Sequence, residues 1–75
     1  MTRENSELRD LPPSAKLVYK TLEYTGESTQ QQIVKESQLS PRTVRNALQR
    51  LKKIDAVTED VFIPDARKSI YRIVN

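Results

Sequence analysis

The chain has 75 residues, a formal net charge of +3, and 31% charged against 36% hydrophobic residues, the balance of one small soluble domain with a single core. It contains no cysteine and no histidine, which excludes disulfide staples, thiolate metal sites and the commonest general base. Its single glycine leaves no room for a dinucleotide fingerprint or a P-loop, no apolar run reaches the ~18 residues of a membrane span, and the N-terminus has no apolar segment of a secretory signal.

Residues 1–10 are polar and charged without periodicity, so a flexible arm is expected there, with the folded domain at 11–75. Proline suits a first helical turn because its missing N–H would be unpaired anyway. Pro12-Pro13 followed by Ala15, Val18 and Leu22 therefore predicts a helix over 13–24, with Gly26 as its C-terminal cap. Thr29 with Gln32 three residues on is a capping-box pattern and opens a short helix over 30–37. Ser40-Pro41, an N-cap serine before proline, opens a third over 41–54.

That third helix is strongly two-sided. Val44, Ala47, Leu48, Leu51 and Ile54 form one stripe, while Arg42, Arg45, Asn46, Gln49, Arg50 and Lys53 fall opposite. Beyond it, Val57–Ile63 and Ser69–Val74 read as two strands of a hairpin with a basic tip at 64–68. The fold class expected is α+β, three helices and then a two-stranded hairpin.

Charge is unevenly spread. Residues 38–75 hold eight basic and four acidic side chains, a balance of +4, while residues 37–54 hold five basic side chains and no acid. Phosphate backbones attract such a surface through counterion release.

A helix-turn-helix followed by a hairpin is the winged helix-turn-helix arrangement. The chain resembles archaeal regulators of the MarR-like type in Leu11-Pro12-Pro13-Ser14-Ala15-Lys16, in Thr29-Gln30-Gln31-Gln32-Ile33-Val34, in Leu39 through Leu48, and in Asp65-Ala66-Arg67. The likeness runs over residues 11–74. It departs from the pattern where glycine often stands, with Gln38 before the third helix and Asp55 after it. Left-handed backbone at Gln38 would carry about 1 kcal/mol of strain. The extra helices that build a dimer in MarR-type regulators have no counterpart in the sequence.

The resemblance implies that the third helix enters the major groove of double-stranded DNA. Arg42, Thr43, Arg45, Asn46 and Gln49 are then the base-reading set, since arginine pairs with guanine, the amides with adenine, and the threonine methyl packs on thymine. Thr29, Gln30, Gln31, Ser40, Arg50 and Lys53 are expected on phosphates, and Arg67 and Lys68 of the wing on the adjacent backbone or minor groove. Thr29 is equally an N-cap, and Asp65 is expected to orient Arg67. The expected protein is a cytoplasmic transcription regulator, not an enzyme, with no cofactor, metal or evident small-molecule ligand, and at most a weak homodimer. The competing reading is a protein-protein interaction module with incidental DNA affinity.

Overall fold

A computed structural model describes residues 10–74; apart from Asp10, the expected arm lies outside them. Helix α1 spans Pro13–Thr25, α2 Gln30–Ser37 and α3 Pro41–Lys53. Strand β1 is Ser28–Thr29, β2 Val57–Val61 and β3 Ser69–Ile73.

Local signals set the helix ends. Gly26 takes φ 80 and its N–H reaches the Leu22 carbonyl, the left-handed close that glycine permits without a Cβ penalty. At α2, Thr29 Oγ1 accepts from the Gln32 N–H at 3.3 Å while Gln32 Oε1 accepts from the Thr29 N–H at 2.8 Å, so the predicted capping box is complete. Ser40 caps α3 by accepting from the Thr43 N–H at 3.1 Å. That helix ends at Lys53, with Ile54 as its cap rather than its last turn.

The core lies where α1, α2 and α3 meet the root of the hairpin. Ala15, Val18, Leu22, Ile33, Val44, Ala47, Leu48 and Leu51 are buried there with Ala56 and Val57, and Tyr71 and Ile73 pack on them from β3. The stripe read from the sequence is therefore the face of α3 that packs, and its opposite face is left to solvent.

Two features correct the sequence reading. The hairpin belongs to a three-stranded antiparallel sheet of order β1-β3-β2, with Ser28 opposite Tyr71 and Thr29 opposite Ile70. Serine and threonine beside a cap motif gave no alternating pattern, and only their partner strand makes them a strand. Strand β2 also stops at Val61, two residues early. The Phe62 N–H donates to the Lys68 carbonyl, the Asp65 N–H to the Phe62 carbonyl and the Lys68 N–H to the Asp65 carbonyl, all within 3.0 Å. These bonds wind the tip of the hairpin into a closed loop.

Gln38 (φ 62) and Asp55 (φ 59) are both left-handed. The Gln38 side chain is exposed, so little is lost by removing it. Gln38→Gly is expected to relieve the Cβ clash, partly offset by the greater freedom of glycine in the unfolded chain. The net gain should be about 0.5 kcal/mol, a rise of a few degrees in a thermal melt followed by circular dichroism. A lower melting temperature would mean that Gln38 is unstrained.

Candidate nucleic-acid interface

The outward face of α3 carries the predicted reading set. Arg42, Arg45, Asn46, Gln49, Arg50 and Lys53 are all exposed. Asn46, Gln49, Arg50 and Lys53 together line a shallow depression. Among the described residues, none of these six side chains forms a hydrogen bond or ion pair. Thr43 differs: it is half-buried, and its Oγ1 accepts from the Ser40 hydroxyl at 2.9 Å. Ser40 is thus bound to the first turn of α3 as a cap, with its hydroxyl directed at Thr43.

The acids of the hairpin are absorbed away from that face. Lys52, a cation of the acid-free run, reaches the sheet and is paired with Glu59 on β2. Glu59 also accepts from the Tyr71 hydroxyl at 3.3 Å. The Lys52 ammonium holds the Glu59 carboxyl below its usual range, and burial, reinforced by the Glu59 charge, pushes the Tyr71 hydroxyl up. Arg72 reaches Glu27 at 3.4 Å and Asp60 at 3.7 Å. With Glu59, Asp60 and Asp65 each answered by a base elsewhere, no acid among the described residues pairs with the cations on the outer face of α3. Nothing in the local sequence marked Lys52, because its partner lies on the next element.

The start of α2 lies beside the wing. Thr29 is 7% exposed, with its hydroxyl committed to the cap. Gln30 Nε2 donates to the Pro41 carbonyl at 3.3 Å, and Gln31 Oε1 accepts from Lys68 Nζ at 3.1 Å. These side chains are engaged within the protein, and the backbone N–H groups of Gln30 and Gln31 are those that a helix start leaves without intrahelical acceptors. In the wing, Asp65 Oδ1 accepts from both the backbone N–H and Nε of Arg67 at 3.1 Å, and Oδ2 accepts from Nη2 at 3.4 Å. Arg67 holds the Asp65 carboxyl below its ordinary value. Its own side chain remains 89% exposed. A cleft of about 280 Å³ separates the start of α2 from these two wing cations.

No family model matches the sequence, and neither does any curated protein. Solved structures do match. The chain superposes with TM-score 0.82 on a MarR family transcription regulator, at 18% identity, covering 95% of this chain and 48% of that one. The chain has the winged helix-turn-helix fold of MarR-family regulators. This winged helix is also similar to BpsR of Bordetella bronchiseptica, whose DNA binding is regulated by 6-hydroxynicotinic acid (TM-score 0.79, 23% identity, 88% of this chain and 50% of that one). A third match is reduced AbfR, solved bound to DNA (TM-score 0.80, 25% identity, 93% of this chain and 52% of that one). The winged helix spans about half the length of these solved chains. Several of the solved chains that share this fold are transcription regulators. The archaeal part of the sequence resemblance gains no support from them. Among the described residues no helix is long and apolar enough to cross a membrane.

Proposed function

We propose that the chain is a sequence-specific double-stranded DNA-binding module of a transcription regulator, with α3 in the major groove and the wing tip on the neighbouring backbone or minor groove. The observation that carries this reading is the outer face of α3. Among the described residues, four cations and two amides stand there without a hydrogen-bond or ion-pair partner, while the hairpin acids Glu59, Asp60 and Asp65 are paired elsewhere. Arg42, Thr43, Arg45, Asn46 and Gln49 supply base-edge donors, acceptors and a methyl group. Arg50, Lys53 and the start of α2 grip phosphates, while Ser40 keeps its hydroxyl on Thr43 as the cap of α3. Similar proteins solved on DNA support the same use of the fold. Leu17 and Tyr24, 42% and 88% exposed on α1, offer a second copy a small apolar contact, consistent with a weak homodimer.

Mobility shifts over a library of duplexes at several salt concentrations test the reading. Preferred sequences should bind at least a thousandfold tighter than random DNA. Uniform weak binding, lost near 0.15 M salt while a protein partner co-purifies, would favour the interaction-module reading instead. Lys53→Ala should weaken binding about equally on every sequence and lower the slope of log affinity against log salt by about one unit. An unchanged slope would remove Lys53 from the phosphate contacts.

A further inference from the structure

We propose that Gln30 and Gln31 are positioning residues, holding the recognition helix and the wing tip in a fixed relation before DNA is bound. The inference rests on the DNA-binding reading and extends it to two side chains that do not themselves read bases. Successive helical residues project about 100° apart, so three consecutive glutamines on the first turn of α2 reach in three directions. Gln32 turns back to the Thr29 N–H and closes the cap of its own helix. Gln30 reaches forward to the Pro41 carbonyl at the start of α3. Gln31 reaches across to Lys68 in the wing. The cap fixes the turn from which the other two project.

The amide suits both tasks. Gln30 must donate to a carbonyl, which a carboxylate cannot do, and Gln31 must accept from an ammonium, which a lysine cannot do. A glutamate at Gln31 would also accept, but would set a negative charge beside the cleft where phosphates are to lie. With Arg67 already held by Asp65, the bond to Gln31 fixes the second wing cation. Ordering a long flexible side chain on binding costs affinity; here that ordering is completed on folding. Lys68 should therefore contribute to binding only while Gln31 holds it.

A double-mutant cycle on the preferred duplex tests this, using Gln31→Ala, Lys68→Ala and the pair. Each single variant is expected to weaken binding by roughly three- to tenfold, and the pair no more than either alone. Melting temperatures should stay within about 2 °C of wild type, because the bond is exposed and contributes little to stability. Backbone order parameters at residues 66–68, measured by NMR without DNA, should fall in Gln31→Ala. In Gln31→Glu they should recover while affinity does not. Additive losses in the cycle, or order parameters unmoved by Gln31→Ala, would overturn the proposal. If no duplex is bound by the wild type, the DNA reading fails, and the order parameters alone still decide whether Gln31 holds the wing.

Discussion

Leu51→Ala should leave the domain close to unfolding at 37 °C. Leu51 is fully buried in the stripe of α3, and its carbonyl accepts from the Ala56 N–H at 2.9 Å, where the chain leaves the helix for β2. Leucine-to-alanine changes in a core cost roughly 2–5 kcal/mol, because the transfer energy of the lost atoms adds to a cavity the surroundings only partly fill. Among the described residues the largest fully buried side chains are Val18, Leu22, Ile33, Val44, Leu48 and Leu51, against a total stability of about 5 kcal/mol or little more for a domain of this size. The expected fall in melting temperature is therefore about 10–30 °C. Thermal unfolding followed by circular dichroism measures it. A loss under about 4 °C would show that the site collapses around the smaller side chain and that the core is less tightly packed than the burial implies.

Arg45→Ala should cost roughly 1–3 kcal/mol on the preferred duplex and relax the preference at one base pair. Arg45 is exposed on the side of α3 nearest the sheet, close enough for its charge to act on the Tyr71 hydroxyl. Its guanidinium can donate two parallel bonds to guanine O6 and N7, a geometry that a single ammonium cannot reproduce. Titration of single-base variants of the preferred site separates the effects. Arg45→Ala should equalise affinity at one position, where Lys53→Ala leaves the order of preference untouched. If the two variants behave alike, the division between reading and gripping on this helix is wrong.

The helices were legible because their signals are local. Thr29 and Gln32 lie three residues apart, Ser40 and Pro41 adjoin, and the α3 stripe repeats within a single element. Asp65 and Arg67 were legible as a pair for the same reason. What escaped the sequence depends on residues far along the chain. Strand β1 exists only through β3, Lys52 turns inward only because Glu59 stands on β2, and the side chains of Gln30 and Gln31 find their partners at Pro41 and Lys68. The phosphate expectation for Gln30 and Gln31 rests on their place at the helix start, which gives the face a residue occupies and not the group its side chain meets within the protein. Gln38 shows the other limit: its position before α3 marked it for left-handed backbone, but only the φ of 62 establishes that the chain accepts that conformation without glycine.

Pairing of β1 with β3 also has a consequence for how the molecule is made. Thr29 is at once the last residue of β1 and the cap of α2, and its strand partner Ile70 lies near the far end of the sequence. During synthesis α1, α2 and α3 emerge first, and each has the local signals to begin winding. The start of α2 has its own cap and its bond to Pro41, but β1 stays unpaired until residues 69–73 have left the ribosome. Such distant contacts close late, because loop entropy must be overcome before they contribute. A nascent chain can thus hold all three helices and still lack the β1–β3 pairing that sets helix and wing together, so on the proposed DNA-binding reading affinity for a duplex should arise abruptly, with β3.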